Sequence, residues 1–316
     1  MVLVGLLGVS SASLSDGASA PVVATAVPID PADPAHVRFG RLRYLSGWVL
    51  SSRQLEFGGY SSLHVDGDHF LTLADTGQFL KFRMPRPGVI QDEQFGRLPD
   101  FPGRRGIKAD RDSESMTIDP ASGDIWVGFE VYNAIYRYAA GFVEATAHRA
   151  PPEMAAWPSE TGPESIVRLA DGRFVVLSEN AKLKGGAKAA LLFPGDPTDP
   201  ANVPIRFAYR PPPHYLATDA AQLPDGRLIV LNRHFSFTDG FWAALTIIDP
   251  RAIREGAELS GKVLAEFRPP LNIDNMEGIS VTRERGKTIL WLISDDNQIA
   301  LQRTLLMKFS LDDRVG

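Results

Sequence analysis

One unit occurs five times along this chain, and a chain built from such units has few folds open to it. In the clearest copy, Asn275-Met276-Glu277-Gly278-Ile279-Ser280-Val281 starts with small residues and one acid and runs into an apolar stretch. After a short turn, Ile289-Leu290-Trp291-Leu292-Ile293-Ser294-Asp295-Asp296-Asn297 gives a second apolar stretch that ends in acids. Pro163-Glu164-Ser165-Ile166, Asp171-Gly172 and Phe174-Val175-Val176-Leu177-Ser178-Glu179-Asn180 repeat the order. Glu114-Ser115-Met116 with Ile125-Trp126-Val127-Gly128-Phe129-Glu130 is a third copy. In the fourth, Thr218-Asp219 precedes Asp225-Gly226 and Leu228-Ile229-Val230-Leu231-Asn232-Arg233, so Thr218 takes the place of Glu164. In the fifth, Ser61 takes that place, between Gly58-Gly59-Tyr60 and Phe70-Leu71-Thr72-Leu73-Ala74-Asp75. Alternation, turn signals and a fixed repeat of about fifty to sixty residues indicate an all-β propeller with one blade per copy.

Each blade needs four strands, and the residues after each unit supply them: 79–82, 134–138, 189–193 with 203–209, and 243–248 with 263–267. The last unit is one strand short, because only residues 304–311 remain, while residues 36–51 form a strand pair with no repeat of their own. Placing the early segment as the outer strand of the final blade completes a single closed propeller of five four-stranded blades and leaves no open edge. Six blades result if residues 36–51 form their own. The 24 prolines and 28 glycines interrupt every helical pattern, and Arg210-Pro211-Pro212-Pro213 and Arg268-Pro269-Pro270 read as rigid connectors.

The sequence divides into an N-terminal segment, residues 1–35, and a propeller domain, residues 36–316. Residues 2–9 are apolar, a Ser/Ala stretch follows, and no Lys or Arg occurs before Arg38, as in a secretory signal without its basic start. Ala18-Ser19-Ala20 is an imperfect cleavage box, since Pro21 follows it. The segment reads as signal-like or as a tail, and the protein is expected to be periplasmic or secreted. Its apolar run is too short for a spanning helix of ~20 residues, so stable membrane insertion is not expected. A net charge of −5 with no basic run excludes nucleic acid as an expected partner. The absence of cysteine removes disulfides, thiolate metal sites and cysteine nucleophiles.

The first strand of each blade lines the central channel, so Ser61, Glu114, Glu164, Thr218 and Glu277 should face one axis. At an effective dielectric of ~20, two carboxylates ~6 Å apart repel by about 3 kcal/mol, so three need compensation. Ca²⁺, which accepts six to eight oxygen ligands at ~2.3–2.6 Å, answers this most simply. Protonation, backbone amides or nearby basic side chains would answer it without a metal.

Several of these motifs carry a resemblance: Gly58-Gly59-Tyr60-Ser61, Glu114-Ser115-Met116 with Trp126-Val127, Gly162-Pro163-Glu164-Ser165, Leu223-Pro224-Asp225-Gly226-Arg227, and Asn275-Met276-Glu277-Gly278. Together they resemble the phytase-like family named for an "esterase-like activity of phytase", over nearly all of the chain beyond its N-terminal segment. The resemblance implies an exported bacterial β-propeller. The succession Ser, Glu, Glu, Thr, Glu is also similar to the calcium ring of the calcium-activated nucleotidases, which implies a metal more than a substrate.

Loops that enter first strands and leave second strands share one face, and that face is polar. Mixed acids and arginine around calcium suit hydrolysis of a phosphate ester or anhydride. Arg233 would hold phosphoryl oxygens, and Asp75, Glu179 or Asp295 would position or deprotonate water. The expected partner is a small anionic substrate. Two alternatives stand beside this reading: a non-catalytic propeller that binds a ligand or protein around a structural calcium, and a lactonase-type hydrolase. No Gly-x-Ser-x-Gly elbow supports a serine esterase.

Overall fold

Each repeat becomes one antiparallel sheet in the computed structural model, which describes residues 20–104 and 108–312. The five sheets are the blades of a β-propeller, and four strands make the common unit of each. The innermost strands are Tyr60–Asp66, Ser113–Ile118, Pro163–Arg168, Leu216–Gln222 and Asn275–Glu284, and each neighbours the innermost strands of two other blades. The second strands are His69–Ala74, Ile125–Phe129, Phe174–Lys182, Leu228–Ser236 and Lys287–Asp295. Each is an interior strand of its sheet, and both of its faces are covered: all of Ile125–Phe129 and all but the first residue of Lys287–Asp295 are buried.

The Asp-Gly pairs sit where the first strand turns into the second. Gly67, Gly172 and Gly226 take positive φ angles of 59°, 87° and 89°, which a side chain would strain. The preceding acid closes the turn in two of them, where Asp171 and Asp225 accept the backbone N–H two residues on.

Blade contacts are apolar at the periphery and polar near the axis. Trp126, Trp157, Phe174 and Phe193 fill one cluster between blades two and three, each large side chain contributing about 1.5–3 kcal/mol by burial. Closer in, Ser61 Oγ donates to Ser113 O at 2.7 Å and Ser115 Oγ to Pro163 O at 2.6 Å. Asp219 accepts from Ile279 N at 2.9 Å, and Ser280 accepts from Val65 N at 3.0 Å. A bond thus ties each of these neighbouring blades near the channel.

Leu42–Ser51 pairs antiparallel with Thr304–Leu311 and lies outermost of the four principal strands of the last sheet. That sheet extends towards the N-terminus beyond residue 36, because Val23–Ala26 adds to Leu42–Ser51. The signal-like stretch at residues 2–9 lies outside the described residues, as do Ala18 and Ser19 of the cleavage box. Blade three also gains a strand not expected from the repeat, Glu258–Ser260, which runs parallel to Ile205–Arg210. Among the described residues no helix is long and apolar enough to cross a membrane.

Candidate functional site: two tiers of charged residues in the channel

Ser61, Glu114, Glu164, Thr218 and Glu277 share a backbone feature as well as a repeat position. In every blade the first strand gains one residue against the second at that point. The register slips between Tyr60 and Ser62, Ser113 and Ser115, Pro163 and Ser165, Ala217 and Asp219, and Met276 and Gly278. Each of the five is therefore the extra residue of a β-bulge, a device that re-aims a side chain out of the pleat. Alternation alone would have sent them between blades, where an ionised acid has no water.

A second tier lies one register position further along. Asp75 pairs through its N–H with Gly59, Glu130 with Asp112 and Glu179 with Gly162, and Arg233 faces Leu216 as Asp295 faces Asn275. Asp75, Glu130, Glu179, Arg233 and Asp295 are thus equivalent. Four are acids and blade four supplies the arginine.

The two tiers meet. Carboxylate oxygens of Glu130, Glu164 and Glu179 lie within 4.8 Å of one another, and so do those of Asp112, Glu114 and Glu130. Glu130 also accepts from Gly162 N at 3.3 Å. Arg233 is not a rim residue: its Nη1 donates to Glu277 Oε1 at 2.7 Å and to Asn275 Oδ1 at 2.8 Å, while Nη2 donates to Glu179 Oε1 at 2.7 Å. Its side chain is 26% exposed, against 7% for Glu179 and 10% for Glu277. Of five guanidinium hydrogens three are used, so Nε–H and one Nη2–H have no protein acceptor among the described residues.

One guanidinium does not balance these acids. Burial pushes the Glu114 and Glu164 carboxyls well above the glutamate range, and neighbouring acids add to the shift, Glu130 first for Glu114 and Glu114 first for Glu164. Burial raises Glu130 to about 7, although its hydrogen bond with Glu164 pulls the other way. Burial likewise raises Asp295 to about 7. For Glu277 burial and nearby acids outweigh the opposing pull of Arg233, and the carboxyl is raised to about 8. Arg233 itself is held in its charged form by Glu277 and Glu179 against the cost of burial. The clusters carry excess negative charge that either protons or a cation must offset.

The donor set fits a hard cation. Every candidate ligand is oxygen, no cysteine exists, and the carboxylate oxygens of each cluster lie within 4.8 Å of one another. Ser61 spends its hydrogen on Ser113 O and Thr218 on Met276 O at 3.1 Å, which leaves the hydroxyl lone pairs uncommitted. The buried acidic clusters could therefore hold a metal ion.

All nine sequence-predicted site residues belong to these two tiers. Glu130 and Asp112 were missing from the predicted set, although Glu130 ends its strand as Glu179 and Asp75 end theirs. That shared place, read as a column across repeats, was the available signal. The other end of the channel differs in kind: a cavity of about 310 Å³ there is lined largely by apolar side chains such as Met116, Ile166 and Ile279. The charged end is the one that gathers the titratable groups.

Comparison with known proteins adds the lineage. No curated protein matches the chain at a significant level. Among solved structures, the glutaminyl cyclase of Myxococcus xanthus is 10% identical, with 86% of this chain and 97% of that one covered at a TM-score of 0.51. A luciferin-regenerating enzyme is 12% identical, with 80% of this chain and 92% of that one covered at a TM-score of 0.42. At such identities the first of these likenesses speaks to fold alone. Residues 55–298 match the phytase-like family, described as "esterase-like activity of phytase", and with most of its length so matched the chain belongs to that family.

Proposed function

We propose that this protein is an exported, calcium-binding hydrolase of phosphate esters or anhydrides. The observation that carries the reading is Arg233, set among buried carboxylates with two N–H donors unspent. A guanidinium so placed can take phosphoryl oxygens through a two-pronged contact. Glu114, Glu130, Glu164 and Glu179 would hold the ion, with Ser61, Thr218 and Glu277 completing the ring. Bound there, calcium would offset the carboxylates and polarise a phosphoryl oxygen.

The chain's own residues account for the rest. Arg233 orients the phosphoryl group. Asp295, raised to about 7, takes a proton from the attacking water near neutral pH as the new P–O bond forms. The ester P–O bond breaks, the leaving alkoxide takes a proton from bulk water to depart as the alcohol, and Asp295 releases to bulk water the proton it received, with Asp75 and Glu179 in the same tier orienting the attacking water. Antiparallel pairing of Leu42–Ser51 with Thr304–Leu311 supports a ring closed through the chain ends. The apolar start and the absence of Lys or Arg before Arg38 support export.

A second reading draws on the same arginine. Since Glu179 and Glu277 already hold Arg233, the pocket also suits a non-catalytic site in which calcium is structural. Assaying the purified protein on glycerol 2-phosphate and a nucleoside diphosphate, with calcium and with chelator, separates the two. Calcium-dependent phosphate release supports the hydrolase, and its absence with both substrates while calcium still raises the melting temperature leaves the structural site.

A further inference from the structure

The hairpin joining Leu228–Ser236 to Gly240–Ile248 continues the strand that carries Arg233, and Phe235, Phe237 and Phe241 flank a polar turn of Ser236, Thr238 and Asp239. Phe237 at the tip is 100% exposed and Phe235 is 47% exposed. Phe235 packs on Phe241 with ring centroids 4.6 Å apart and edge-on to Phe237 at 5.3 Å. Leu301, in the loop after Asp295, is 93% exposed, and Leu55, in the loop before Tyr60, is 92% exposed. These loops all lie on the face where the charged end of the channel opens. Of these side chains only Phe235, Phe237 and Phe241 are in mutual contact, so the apolar patch that needs an explanation is the hairpin's own.

A cleft of about 320 Å³ joins this hairpin to the site, lined by His214, Leu216, Arg233, His234, Phe235 and Phe241. That size is within the range of small-ligand pockets, about 300–1,000 Å³. Its wall is fixed: His234 Nδ1 lies 2.9 Å from His214 O, and a carbonyl only accepts, so Nδ1 carries the hydrogen. Trp242 backs the His234 ring at 4.9 Å, and Arg268 covers Trp242 at 4.1 Å. The cleft is apolar at its outer end and reaches at its inner end Arg233, whose charge is shared with Glu179 and Glu277 and whose spare N–H donors have no acceptor among the described residues.

We propose that this cleft is a subsite for an aromatic or fused-ring group on the substrate, packed against Phe235 and Phe241 while the anionic end meets Arg233. The proposal rests on the phosphate-ester reading above. The complementarity decides the occupant: a bare phosphate would leave the phenylalanines in water, and an apolar molecule without an anion would leave the spare guanidinium donors unmatched.

The test uses the full chain with calcium, and compares 1-naphthyl phosphate with glycerol 2-phosphate in wild type and in Phe235→Ser. Wild type should prefer the aromatic ester, and Phe235→Ser should lower that preference about tenfold, through KM rather than kcat. An unchanged preference overturns the subsite. Binding is read separately, by quenching of naphthyl fluorescence. Saturable binding weakened by Phe235→Ser supports the subsite even if neither ester is hydrolysed, in which case only the catalytic reading falls. No saturable naphthyl binding overturns it. Retention on phosphatidylcholine vesicles that Phe237→Ser abolishes, with naphthyl binding absent, would reassign the apolar rim to a lipid surface.

Discussion

Arg233 donates to Glu277 at 2.7 Å, joining a second strand of blade four to an innermost strand of blade five. The same guanidinium reaches Glu179 of blade three at 2.7 Å, so one side chain spans three blades. Above about pH 8, where Glu277 has given up its proton, removal of Arg233 would leave that buried carboxylate without its counter-ion. Breaking a buried ion pair costs about 3–5 kcal/mol, so Arg233→Ala should lower the urea midpoint of calcium-free protein sharply. Arg233→Lys keeps the charge without the fork and should fall between. A midpoint in Arg233→Ala equal to wild type would show that these pairs do not hold the three blades together.

Calcium should stabilise the native state by about 2.7 kcal/mol at one hundred times its dissociation constant, and chelation should lower the melting temperature. The spacing of the carboxylates sets the order of the variants. Glu164→Gln, in the cluster with Glu130 and Glu179, should reduce the calcium increment more than Glu277→Gln, whose carboxylate already has Arg233. Elemental analysis that finds no divalent ion, with melting indifferent to calcium, would leave the clusters as a protonated structural hub.

The pH dependence has a definite sign. Glu130 and Asp295 have folded-state values raised to about 7 by burial, so between the ordinary carboxylate range and that value the folded chain holds more protons than the unfolded one. Stability from these groups is therefore greatest at low pH and is lost as the pH rises towards 7. In chelator, the melting temperature should decline between about pH 5 and about pH 7.5, and calcium should flatten the decline. A calcium-free melting temperature that rises across this window would refute the assignment.

Deleting residues 1–51 removes the strand that covers Thr304–Leu311, where Leu305, Leu306, Met307 and Phe309 are all fully buried. An apolar strand edge open to solvent promotes association. The truncated chain should aggregate, whereas a chain starting at Ala20 should melt as the full-length protein does. Light scattering decides, and a monomeric, cooperatively folded product of the longer deletion would mean that the ring does not need this strand.

Gly278 follows the bulged Glu277, at the position of Ser62, Ser115, Ser165 and Asp219 in the other blades. A Cβ there would stand 2.9 Å from Leu63 N and 3.0 Å from the Ser62 carbonyl carbon, both backbone atoms of blade one. Gly278→Ala should therefore cost about 1–3 kcal/mol in a denaturant melt. A neutral substitution would indicate that the two blades can slide apart at this point.

The sequence by itself determined the number of repeats, the two inner strands of each and five equivalent positions, one in each first strand. These follow from local patterns: two-residue alternation, Asp-Gly turns, and one acid or hydroxyl at a constant offset from the apolar run. The bulge was legible only as a polar residue at a constant offset, since Ser61, Glu114, Glu164, Thr218 and Glu277 each stand just before the apolar part of a first strand. What the tertiary structure decided is the pairing. Arg233 meets Glu179 and Glu277 across 54 and 44 residues of chain because the ring brings blades three and five to either side of blade four, and Glu130 joins Glu164 and Glu179 because blade two adjoins blade three. A long guanidinium has many acids within its sequence neighbourhood and no local rule for choosing among them. Its partners are fixed by which buried carboxylates the curvature of the ring places within reach, where burial makes an unpaired charge costly.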